Sequence, residues 1–176
     1  SQSNESHQGA GFDRAFNLID EKWELPYPET TGYIITTLIN NAPSFPEMKL
    51  DNSAKIAGDW LKTTQFPSGA ICAKQWHVDN TTPSVFNTGM VLHGYISLCE
   101  AGWESEFKAA ADSAYQWLLK SQDGDGAWRS HAFNGIPHTY YTMVSWAIAR
   151  YGLYFENKSS LKCASKNLNW ATSNQR

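Results

Sequence analysis

The feature that most restricts what this chain can fold into is an internal repeat. AKIAGDWLKTTQFPSGA, around Trp60, aligns with DSAYQWLLKSQDGDGA, around Trp117. The alignment pairs Trp60 with Trp117, Leu61 with Leu118, Gln65 with Gln122, Gly69 with Gly126 and Ala70 with Ala127, at an offset of 57 residues. Thr31-Gly32 and Thr88-Gly89 pair at the same offset, and CASKNLNWATSNQ gives a third copy in which Trp170 and Gln175 follow 53 residues on. A fourth Gln falls at Gln8, so the chain reads as starting just after one such helix and stopping at the end of another. A repeat of this length is a supersecondary unit that buries its apolar face only against its neighbours.

Each repeat reads as two helices. Phe86, Met90, Val91, Tyr95 and Leu98 recur at helical spacing, as do Tyr140, Val144, Ala147, Ile148 and Tyr151 and the shorter series Tyr33, Ile34, Thr37, Leu38. The second helix class is lined with small residues: Phe107, Ala110, Ala111, Ala114, Trp117 and Leu118, matched by Ala54, Ala57, Trp60 and Leu61. Thr30 or Thr31, Asp51 and Ser159 are candidate N-caps, and Pro43, Pro46, Pro83 and Pro137 fall where helices cannot continue. No strand of ordinary length alternates. The expected fold class is all-α, with about six helices in three hairpins within one domain, 1–176, and repeats near 9–65, 66–122 and 123–175. Stacked hairpins form either an open solenoid or a ring.

Composition narrows the function classes. The net charge is −3, with Lys and Arg scattered, which removes the counterion release that drives nucleic-acid binding. Apolar runs are interrupted well before the ~20 residues of a membrane span. Cys72, Cys99 and Cys163 form no CxxC, so neither a disulfide framework nor a zinc signature is read, and neither metal nor cofactor is expected. Residues 1–11 carry no basic start or apolar stretch of a secretory signal, which leaves the compartment open. Eight Trp, eight Tyr and eight Phe make aromatic content the anomaly to explain.

WLLKSQDGDGAW, Trp117 to Trp128, is similar to the QW motif of the terpenoid-cyclase and prenyltransferase superfamily, without the basic residue that usually leads it. The resemblance implies a partial α/α toroid, half the size of six-hairpin families, with inner helices around a cavity. The Gln can satisfy a free carbonyl and a loop N–H at a helix end. The superfamily's catalytic DxDD and DDxxD motifs do not occur, and Asp123 and Asp125 read as turn formers. YPETTGYIITTL, Tyr27 to Leu38, resembles stretches of toroid proteins associated with bacterial polysaccharide synthesis or modification, including uronyl epimerase-like and glycosidase-like toroids.

In a toroid the inner-helix N-termini surround the cavity mouth. One rim would then collect Glu29, Thr30, Asn87, Thr88, His138, Tyr140 and Tyr141, with Trp76, His77, Asp79, Trp128, Arg129 and His131 from adjoining loops. Free N–H groups and the partial positive charge of helix N-termini favour an anionic or hydroxyl-rich ligand there. Glu29 and His138 are the candidate acid/base residues; Thr30, Trp76, His77, Asn87, Trp128, Tyr140 and Tyr141 are the candidate ligand contacts. Each has a plain structural reading as well. Glu29 can serve the helix dipole, Asn87 and the Thr-Thr-Gly can cap, His77 can bond at the surface, and Trp76 and Trp128 can pack on the next repeat. A lone carboxylate is also not the facing pair of glycoside hydrolysis.

The expected function is a carbohydrate-active or carbohydrate-binding protein, its partner an oligosaccharide or other small hydroxylated ligand. One alternative is an isoprenoid or other apolar-ligand toroid, with a cavity lined by Phe86, Tyr95, Tyr140 and Trp146 and no polar rim. Another is a non-catalytic interaction repeat. Terminal repeats expose apolar faces, which a homodimer or missing repeats would cover.

Overall fold

The computed structural model describes residues 11–74 and 82–175. An antiparallel pair, β1 (Phe16–Asn17) and β2 (Lys22–Trp23), precedes the first hairpin, α1 (Pro28–Asn41) and α2 (Leu50–Thr64). A second antiparallel pair, β3 (Ile71–Cys72) and β4 (Pro83–Ser84), leads to α3 (Val85–Leu98) and α4 (Glu104–Ser121). The third hairpin is α5 (Thr142–Tyr154) and α6 (Lys158–Ser173). The chain is all-α, as the periodicity predicts, and the four strands are two residues each.

Inner helices α1, α3 and α5 pack side by side in chain order, and each holds its own outer partner, α2, α4 or α6. The central helix α3 shows the consequence in its sequence. It is apolar nearly all round, and every residue but Phe86 is buried. Small residues set the spacing: a Cβ on Gly32 would lie 2.5 Å from the Met90 carbonyl, so α1 and α3 meet backbone to backbone. The predicted stripes of α2, α3 and α4 supply the core, where Ala54, Ala57, Leu61, Val91, Tyr95, Leu98, Phe107, Ala111, Ala114 and Leu118 are fully buried. The expected α1 series instead faces outward at Tyr33 and Thr37, the helix burying Thr31, Gly32 and Ile35, and Tyr140 of the α5 series is exposed. Burying a side chain such as Phe107 contributes about 2–3 kcal/mol.

The motif glutamines act as a clamp between hairpins. Gln65 Nε2 donates to the Gly69 carbonyl (2.9 Å) and to Ala110 of the next outer helix (3.1 Å). Gln122 Nε2 donates in the same way to Gly126 (3.2 Å) and Cys163 (3.0 Å). Both partners are carbonyls, which corrects the expected carbonyl and loop N–H. The two glutamines share one backbone conformation, φ −76° and ψ 130°. Gly69 (φ 92°) and Gly126 (φ 97°) then turn the chain through the left-handed region, where glycine is favoured. There is no room for a Cβ either: it would sit 2.1 Å from the Ser113 carbonyl or 2.4 Å from the Lys166 carbonyl. Asp123 and Asp125 do form the turn, tied down by Arg129 at 2.8 Å each, and that ion pair holds the Asp125 carboxyl down at about 2.

The helix starts differ from the expected caps. Pro28 opens α1 after an extended Tyr27, Lys49 precedes α2 in a left-handed conformation, Ser84 Oγ caps α3, and Asn157 caps α6. Thr31 and Thr88 have another use. Their hydroxyls accept from Phe12 N and Ile71 N, both at 2.9 Å, pinning the incoming loop of each repeat to its inner helix. Twenty residues, 65–84 and 122–141, separate each outer helix from the next inner helix. At the opposite end the turns shorten from eight residues (42–49) to five (99–103) and three (155–157).

Candidate functional site

The N-terminal ends of the three inner helices and the long loops between them enclose a pocket of about 390 Å³. Glu29 enters from α1, Phe86 and Asn87 from α3, and Tyr140 and Tyr141 from the turn before α5. Tyr27, Lys74, Ser84, His131 and Phe133 complete much of the wall.

Three side chains make up its polar centre. The Asn87 amide donates to the Cys72 carbonyl (2.7 Å), and the Tyr27 phenol lies beside both Asn87 and Glu29, near enough for each to bias its protonation. Burial pushes the Glu29 carboxyl above its ordinary 4.5, while the bond from Tyr27 and the charge of Arg14 pull the other way. Burial, followed by the neighbouring Glu29 charge, pushes Tyr27 up to about 12, so its proton stays on the phenol. Opposite lies an aromatic wall: Phe86 meets Tyr140 edge-on at 5.2 Å and stacks with Tyr141 at 6.1 Å.

The backbone of the wall is strained. Lys74 (φ 68°), His131 (φ 61°) and Asn134 (φ 55°) all line the pocket in the left-handed region without being glycine. Each such residue costs on the order of 1 kcal/mol, and strain of this kind gathers at ligand sites.

Of the candidate residues, Glu29, Asn87, Tyr140 and Tyr141 converge on the pocket. Tyr141 is nearly fully buried, and its hydroxyl accepts from Phe133 N at 2.9 Å, so it shapes the loop as much as the cavity. Thr30 and His138 do not line it. His138 stacks on the outer side of Tyr140 with centroids 4.9 Å apart, and its buried Nε2 has no hydrogen-bond partner. Trp128 is no ligand platform: it is fully buried and its Nε1 donates to the Leu118 carbonyl at 3.0 Å, sealing α4 to its loop. Arg129 is occupied by its two aspartates. Trp76, His77 and Asp79 lie outside the described residues. Tyr27 is a lining residue that the sequence candidates omit; Tyr-Pro-Glu was its signal, because Pro28 favours an extended Tyr27 beside Glu29.

The apolar alternative required Tyr95 in the cavity. Tyr95 is fully buried between layers, stacked on Phe107 at 6.0 Å, and the pocket that holds Phe86 and Tyr140 has a polar side. Among the described residues no three His, Cys, Asp or Glu side chains group as metal ligands, and no helix is long and apolar enough to cross a membrane. Compared with known proteins, the chain matches no family model, no curated sequence and no solved structure.

Proposed function

We propose that this chain is a carbohydrate-active α/α-toroid-type protein of polysaccharide synthesis or modification, in which Glu29 transfers a proton at the mouth of the inner helices. The observation that carries this reading is the half-buried Glu29, which shares one pocket with Tyr27, Asn87 and the aromatic residues Phe86, Tyr140 and Tyr141. A carboxyl raised by burial keeps part of its population protonated closer to neutral pH, which suits a general acid that becomes the base in the return step. The wall supplies apolar ring faces for the C–H face of a sugar, and Asn87, Ser84, Lys74 and His131 supply polar groups for its hydroxyls or a uronate carboxylate. Glu29 is the sole carboxylate among the described lining residues. The reading therefore favours proton transfer at one centre over two-carboxylate hydrolysis.

Glu29→Gln tests it, with uronate-containing and neutral oligosaccharides as substrates and products followed by mass spectrometry. Turnover by the native protein that is lost in the variant, with binding retained, supports the role. Equal turnover in both proteins reduces Glu29 to a first-turn helix residue.

A further inference from the structure

Beyond the pocket, the exposed side of α5 continues from Tyr140. Met143, Trp146 and Arg150, at i, i+3 and i+7, share one face of the helix. Tyr140, Met143 and Trp146 are 44%, 42% and 50% exposed, so this face lacks the cover that Val144, Ala147 and Ile148 have on the opposite side. The Trp146 indole is nonetheless held in place. It rests on the buried His93 with centroids 4.1 Å apart, and the Arg150 guanidinium lies 5.9 Å from its ring centroid. Arg150 donates to His93 Nδ1, pairs with Glu100 and reaches Ser97 Oγ at 3.3 Å; Ser97 in turn bonds Thr36 at 2.8 Å. A polar ladder thus crosses all three inner helices at the level of one half-exposed tryptophan.

We infer that Trp146 is the platform of a second sugar subsite, serving a distal unit of the oligosaccharide whose proximal unit sits at Glu29. This rests on the carbohydrate reading above. An aromatic ring already fixed by its neighbours loses little freedom on binding, and it offers a flat apolar face beside the charged groups of Arg150 and Glu100. That mixture fits a ring with one C–H face and an equatorial belt of hydroxyls better than it fits an apolar protein segment. Tyr140, shared with the pocket, is exposed like Met143 and Trp146 and precedes them in the chain, which points the distal unit along α5. Trp146 lies six positions on from Tyr140, across the turn and first residues of α5, about 9–10 Å along the axis, so a ligand must be longer than a single ring to use both.

The test is calorimetry with di- and hexasaccharides of polygalacturonate and of cellulose, on the native protein, Trp146→Ala, Trp146→Phe and Glu29→Gln. Trp146→Ala is expected to weaken hexasaccharide binding about tenfold, with disaccharide binding unchanged and Trp146→Phe restoring most of the loss. Far-ultraviolet circular dichroism checks that the variants fold, and if Trp146→Ala does not, the milder Trp146→Phe carries the comparison through a smaller selective loss. A loss equal for both lengths, or no loss, overturns the subsite while the carbohydrate reading stands. No binding of any of the four sugars by the native protein overturns both.

Discussion

The periphery and the centre of the same end of the molecule obey different rules. At the periphery, Gln65 and Gln122 repeat each other in backbone angle, in both acceptors and in the glycine that follows. At the centre, equivalent positions diverge: Glu29 corresponds to Phe86, Tyr27 to Ser84, and Asn87 to Thr30. A packing solution that works once works at each interface, so the clamp can recur unchanged. A site that must present one ligand with different groups from different sides cannot. Departure from the repeat marks the pocket.

Breaking the clamp should have the largest effect. Gly126→Ala places a Cβ against the Lys166 carbonyl at positive φ and is expected to cost more than about 3 kcal/mol in chemical denaturation. Gly124→Ala, two residues away with nothing within 4 Å, should leave the midpoint unchanged. Gln122→Ala strands two carbonyl contacts and should cost about 2–3 kcal/mol, though Asn167 still reaches Gly126 O.

Acid should act on the inner layer next. Burial and the Arg150 charge hold His93 down at about 4, against an ordinary 6.5. The unfolded chain therefore binds a proton that the folded one refuses. The stability from a neutral His93 is complete above pH 6.5 and is lost as pH falls toward 4, by about 2–3 kcal/mol. His93→Gln should flatten that part of a melting profile. The smallest effect belongs to the centre. The Glu29 carboxyl is raised, so its ionisation costs stability as pH climbs past 4.5. Glu29→Gln is expected to melt slightly higher than the native protein at pH 8 and equally at pH 4, even while activity is lost. A variant that melts lower at pH 8 would move Glu29 to the structural side of the comparison.

The helices were legible because periodicity reports burial directly: Ala57, Leu61, Phe107 and Leu118 lie where their spacing puts them. The glutamines were legible as repeat positions, but their acceptors were not, since the Ala110 and Cys163 carbonyls belong to a different hairpin. Glu29, Asn87 and Tyr140 could be placed at one rim by aligning the copies. Trp128 was misread because its buried Leu118 partner is ten residues back across a turn, a contact that neither helical nor repeat spacing encodes. Trp146 was read only as lining the cavity of the apolar alternative. It falls outside the α5 stripe, and nothing in the sequence places His93 of α3 beneath its ring.

At the end away from the pocket the turn shrinks from eight residues to three, while both mouth loops keep twenty. The molecule thus separates where its chain can be edited from where it cannot. Insertions, labels or surface anchors belong at 42–49, 99–103 or 155–157, each a full helix length from Glu29. Gly102 itself should stay, because its φ of 104° strains any other residue even with nothing within 4 Å of a built Cβ.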